Sequence, residues 1–99
     1  MDMIPNYEAM DFGKRVAFQR ILIPKMIPDY KLKSEEEQHR LAFEWADPET
    51  NDYARKVSRI IDNTDNKKIR ELIMSEQYIE ACELIIPMLI KDDEHAYAA

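Results

Sequence analysis

The chain has 99 residues, 45% of them hydrophobic, which is enough for one modest core and too little for two. With 34% charged residues, a formal net charge of −6 and apolar runs far shorter than the ~18 residues of a membrane span, the composition excludes a disordered tail and a membrane-embedded protein. The single cysteine, Cys82, excludes an intrachain disulfide and a cysteine-based zinc site.

One domain is therefore expected over residues 1–99, with loosely held ends at 1–8 and 92–99. The opening MDMIPNYEAMDFGKR carries acids where a signal peptide needs a basic region followed by an apolar one, which predicts an unprocessed cytoplasmic protein. Charge alternates along the chain. Residues 1–33 hold six bases and four acids, 34–54 one base and seven acids, 55–75 six bases and three acids, and 76–99 one base and six acids. The plain reading is that oppositely charged helices face one another, within one molecule or across a dimer.

One glycine and no Asn-Gly or Asp-Gly pair argue against a turn-rich β fold. A first helix is expected over roughly Met10 to Leu22, interrupted at Gly13. Pro24 and Pro28 disfavour helical geometry at Ile23 and Ile27, so together they predict a stop and an apolar connector, PKMIPDYKL. The alternative in this third of the chain is an α+β fold. There RVAFQRILI, with Val16, Phe18, Ile21 and Ile23, is a strand in a hairpin with Tyr30 to Lys33.

In SEEEQHRLAFEWAD, Ser34 is an N-cap, Glu37 completes a capping box and three glutamates fill the first turn, predicting a second helix from Glu35 to Ala46. Asp47-Pro48 then reads as a cap and first position of a third helix, Pro48 to Asp62, with Tyr53, Val57, Ile60 and Ile61 on one apolar stripe. DNTDN is a polar turn. Beyond it KKIRELIM forms a short helix on Ile69, Leu72 and Ile73, and Ser75 caps a final helix. This Lys67 to Leu89 segment resembles one αα-hairpin of the tetratricopeptide type, at Tyr78 and Ala81. No second copy follows at the required period, so the resemblance implies a hairpin and no function. Around the last helix Pro87 falls in the narrow polar strip of Glu80, Glu83 and Lys91, the side on which a bend is tolerated. The expected fold is thus an all-α bundle of four to five helices.

Few residues offer chemistry. Gly13 stands alone, so no phosphate-cradling loop forms, and nothing signals a nucleophile with an oxyanion hole. Glu36-x-x-His39 and Asp92-x-x-His95 have the spacing found in di-metal bundles, but the second lies near the chain end and no buried glutamate completes the set. A partly buried His39 and a solvated His95 are the expectation, with no metal and no cofactor. Cys82, set among Ile79, Ile85 and Ile86, reads as a buried structural thiol.

What remains is apolar surface in excess of what packing hides. The second helix displays Leu41, Ala42, Phe43, Trp45 and Ala46, and the last helix is apolar around most of its girth. These features predict a small acidic protein-binding module acting stoichiometrically as a regulator, inhibitor or assembly adaptor, itself a homodimer. Its contact residues are expected at Glu35, Glu36, Glu37, Phe43, Trp45, Met88 and Ile90. The alternative is a nucleic-acid accessory protein that uses Arg55, Lys56, Arg59, Lys67, Lys68 and Arg70, against which the 20 acidic residues weigh.

Overall fold

The protein is described by a computed structural model covering residues 4–50 and 52–98, with side chains described through Lys91. Five α-helices follow one another: α1 (Phe12–Met26), α2 (Glu35–Ala46), α3 (Asp52–Asp62), α4 (Lys67–Met74) and α5 (Tyr78–Ala98). Short 3-10 turns occupy Tyr7–Ala9, Pro28–Leu32 and Thr64–Asn66. The chain is 82% helical, with no strand among the described residues. The hairpin alternative is overturned because Val16, Phe18, Gln19, Leu22 and Ile23 bury a helical face within α1.

α1 is the central helix and has two buried sides. Phe18 and Leu22 join Val57, Ile61, Ile69, Ile73, Cys82, Ile85 and Leu89 in the larger core. Val16 and Ile23 instead meet Tyr30, Ala42, Trp45 and Ala46 in a second, smaller one. Tyr53 rims both. This demand on α1 explains why Pro24 does not stop it. The ring removes one hydrogen-bond donor, but burial of Ile23 holds the backbone helical and the Ile27 N–H still reaches Ile23 O at 2.6 Å. The stop comes at Pro28, where Ile27 is extended (φ −126°, ψ 94°). At the other end Asp11 accepts the Lys14 N–H at 3.3 Å, and Gly13 lies within the first turn beneath that cap. A Cβ on Gly13 would stand 2.9 Å from Asp11 Oδ2, so the glycine makes room for the cap and does not interrupt the helix.

α2 begins where the capping box places it, with Ser34 Oγ accepting the Glu37 N–H at 3.2 Å. α3 starts four residues later than expected. The Asp47 carboxylate accepts the Glu49 N–H (3.0 Å) and the Asp47 carbonyl accepts the Thr50 N–H (3.1 Å) and hydroxyl (2.7 Å). That closed turn competes with helix and wins. Tyr7, inside the segment expected to be loose, is fully buried. Its N–H donates to Asp62 Oδ1 at 2.8 Å and its ring oxygen accepts from Gln19 Nε2 at 3.0 Å. The expected loose end at 92–99 falls on residues whose side chains lie outside the described set, where the backbone of α5 continues to Ala98.

The α4–α5 hairpin turns on Ser75-Glu76-Gln77. Ser75, expected to cap α5, ends α4 instead. The Gln77 N–H reaches Leu72 O (2.8 Å) and the Glu76 N–H reaches Ile73 O (3.0 Å), the paired bonds of a Schellman turn. Such a turn requires a left-handed residue, and Glu76 supplies it at φ 62°. A side chain with a Cβ is disfavoured there. Replacing Glu76 by glycine is therefore expected to stabilise the protein by about 1 kcal/mol, raising Tm by about 4–8 °C. An unchanged or lowered Tm in thermal unfolding followed by circular dichroism would contradict this account of the turn.

Candidate protein-binding surfaces

The two surface classes anticipated from sequence divide differently in three dimensions. On α2, Glu35, Glu36 and Glu37 are exposed in the first turn, and no ion pair joins them to a cation of their own chain among the described residues. Phe43 is partly exposed but engaged: its ring meets Phe12 edge-on (5.2 Å) and tilts against His39 (4.6 Å). Glu35, Glu36, Arg40, His39 and Phe43 border, with Arg20 of α1, an open hollow of mixed charge. His39, expected to be partly buried, is exposed, with Nδ1 beside the Arg20 guanidinium. His95 lies outside the described side chains. No group of three or more His, Cys, Asp or Glu side chains that could hold a metal ion occurs among the described residues.

Trp45 is not a surface anchor. It is 8% exposed and stacks on Tyr53 with ring centroids 3.8 Å apart, because α2 turns this face toward α1 and α3. Its apolar neighbours in sequence carried no sign of which part of the arc would be covered.

The basic cluster also comes apart. Arg70 is buried, and its guanidinium donates to Ile61 O at 2.7 Å and Asn63 O at 3.0 Å, closing the C-terminus of α3. Arg55 pairs with Asp52 one turn away and Lys67 with Glu71 at 3.9 Å. Lys68 is exposed on α4. Lys56 and Arg59 of α3 border an open groove of about 460 Å³ with Ile60, Asn63, Asn66 and Met88. A continuous basic surface is therefore not what these residues build.

α5 buries one arc, formed by Ala81, Cys82, Ile85 and Leu89, and leaves Ile79, Leu84, Met88 and Ile90 exposed. Met88 and Ile90, both expected as contact residues, sit two positions apart and so point about 160° away from one another. Ile90 shares a stripe with Ile79, Glu83 and half-buried Ile86, whereas Met88 faces α3. Pro87 is exposed between the two flanks, as its place in the polar strip predicts. Sequence reasoning missed two residues. Ile79, expected beside the buried Cys82, is 59% exposed, and Leu32, expected in an apolar connector, is 84% exposed. Its lysine neighbours on both sides were the available signal.

Cys82 is fully buried with Sγ 4.0 Å from Phe18 O, and loss of solvent pushes its thiol from 9.0 up to about 12. Burial likewise raises the Tyr7 phenol above its ordinary 10.0, against the lowering effect of the Gln19 hydrogen bond. Neither group is poised to act as a nucleophile or base near neutrality. Comparison with protein-family models, curated proteins and solved structures finds no match to this chain.

Two outcomes follow for measurement. Arg70→Met, which keeps the stem and removes the guanidinium, is expected to cost about 2 kcal/mol in urea unfolding, while Arg55→Met changes stability by less than about 0.5 kcal/mol. Equal effects would mean that Arg70 does not cap α3. The raised thiol and phenol stay protonated in the fold while the unfolded chain releases their protons. The thiol's contribution is complete below pH 9.0 and is lost as pH climbs through about 12, and the phenol's is complete below pH 10.0 and is lost above it. The urea midpoint should fall between about pH 8 and about pH 10.5, and fall less steeply in Cys82→Ala.

Proposed function

We propose that this chain is a cytoplasmic protein-binding module that acts stoichiometrically, as a regulator, inhibitor or assembly adaptor, through the outer face of α5. The observation that carries the reading is the stripe of Ile79, Ile86 and Ile90, of which Ile79 and Ile90 remain 59% and 47% exposed although the opposite arc of the same helix is fully buried. The core does not need them. A helix that presents isoleucines at this spacing beside glutamates has the pattern by which one protein seats a helix in the groove of another.

Magnitudes constrain the partner. Burying what remains exposed of each isoleucine contributes about 1 kcal/mol, so the pair falls well short of the about 8 kcal/mol of a micromolar complex. The flanking Glu80, Glu83 and Lys91, all exposed, must contribute as well. The partner that fits carries an apolar groove edged with basic side chains. Nucleic acid fits poorly, since the most exposed apolar stripe is flanked by acids and the candidate basic surface is divided among caps and local pairs.

The test is capture from a lysate of the native host, followed by reconstitution with the purified captured protein. A 1:1 complex is expected, with affinity reduced at least about tenfold by Ile90→Glu, a variant that should keep wild-type helicity and Tm. Failure of the wild-type chain to retain any protein, or equal binding by Ile90→Glu, would overturn the reading.

A further inference from the structure

We propose that the outer side of α5 packs antiparallel against the same side of a second copy of this chain, about a two-fold axis level with Ile85 and Ile86. The proposal rests on the reading above that this is a binding face, and states what covers it when no other protein does.

A strip of four exposed residues carries it. Glu80, Leu84, Pro87 and Lys91 stand at i, i+4, i+7 and i+11, so they form one line along the helix, on the side away from the buried arc of Ala81, Cys82, Ile85 and Leu89. Opposite charges close its two ends. About 16 Å of helix separates Glu80 from Lys91, so the two cannot meet within one copy. Neither makes an ion pair among the described residues. One turn from Glu80 along the chain stand Glu76, Gln77, Glu83 and Leu84, none of them a cation, and one turn before Lys91 stand Pro87 and Met88, neither of them an acid.

Reversal makes the strip its own complement. In a two-fold pair, residue i meets residue j and j meets i. Antiparallel packing sets Glu80 against Lys91 of the second copy, twice over, whereas parallel packing would set Glu80 on Glu80 and Lys91 on Lys91. The flanks obey the same register. Ile79 and Ile90 lie on one flank of the strip, Leu84 and Met88 toward the other, which faces α3. Each of these pairs, like Glu80 with Lys91, is centred within about one residue of the Ile85–Ile86 bond. A single register thus seats Ile79 on Ile90 and Leu84 on Met88, which accounts for all four large apolar side chains that α5 exposes among the described residues. The contact has the anatomy of an interface, with apolar groups in the middle and charges at the ends.

Its strength is limited. One helix pair over about 20 Å buries less than the about 1,200–2,000 Å² of a stable complex, so the dimer forms only at high concentration. The net charge of −6 on each copy opposes it further. The two ion pairs fix register and orientation more than they add affinity. A foreign protein that seats Ile79 and Ile90 therefore displaces the second copy readily, and self-pairing shields the isoleucines until it arrives.

Sedimentation of the purified full chain, in a series reaching millimolar concentration at about 0.15 M salt, tests the proposal. The wild-type chain should pass from monomer to dimer. Glu80→Lys alone and Lys91→Glu alone should each weaken association at least about tenfold with far-ultraviolet helicity unchanged. An equimolar mixture of these two variants should dimerise, since each supplies the charges that the other needs. The chain carrying both exchanges should also regain self-association, which only the antiparallel register allows. Net charge alone gives a different result, because Glu80→Lys makes the chain less negative and would then associate better than the wild type. A wild type monomeric throughout, a Glu80→Lys chain that associates as well as the wild type, or no recovery in the doubly exchanged chain would each overturn the proposal. The purified chain is measured alone, so these results strike the self-pairing, while capture of another protein separately decides the reading on which it rests.

Discussion

Every α-helix ends in carbonyls that its own backbone cannot satisfy, and the usual remedy is a glycine that lets the chain turn back to them. This chain has one glycine, and it stands at a helix start. Side chains from elsewhere close the helices instead. Arg15 of α1 donates to Ala46 O at the end of α2 (2.8 Å), Arg70 of α4 closes α3, and Lys14 of α1 reaches Met74 O at the end of α4 (3.3 Å). Each cation meets the negative end of a helix dipole and adds a polar link between two helices to their apolar contact. Where a tight turn was unavoidable, at Glu76, the chain tolerates a left-handed glutamate. Lack of glycine and the placing of cations are thus one constraint.

The same constraint positions α1. Its Lys14 and Arg15 serve two other helices while Phe18, Leu22, Val16 and Ile23 divide between two cores. Gln19 is buried among them, holding Tyr7 and through it the N-terminal turn, with Oε1 left without a protein partner among the described residues. A buried amide of this kind contributes little net stability but penalises any other register of the turn. α5 is in turn freed from being the central helix, which leaves its outer face available to partners.

How much of this was legible beforehand depends on where each signal resides. The start of α2 is a local event between Ser34 and Glu37, and it was readable to the residue. So was the placing of Pro87 on the outer strip of α5, since helical period alone determines it. Pro24, Trp45 and Arg70 were not legible, for a shared reason. Burial of Ile23 overrides a local helix breaker, the partner of Trp45 is a tyrosine on another helix, and the carbonyls that need Arg70 exist only once α3 has ended where it does. An arginine next to two lysines looks like a basic patch until those carbonyls are located. On α5 the helical period shows apolar residues around most of the girth, but it does not say which arc the core covers and which flanks stay exposed. Leu32 is flanked by Lys31 and Lys33, which hint at exposure, but nothing local says that a short 3-10 turn will lift it clear of the core.

The stacking of Trp45 on Tyr53 has a further consequence. The chain holds a single tryptophan, and its ring lies against a tyrosine that rims both apolar clusters. Its intrinsic fluorescence is therefore a reporter of one seam, the line along which α2 meets the rest of the molecule. Cys82 lies on the other side of α1, within the larger cluster. Emission and thiol protection thus view two halves of the same small protein separately, and their coincidence or separation during unfolding states whether those halves form one cooperative unit.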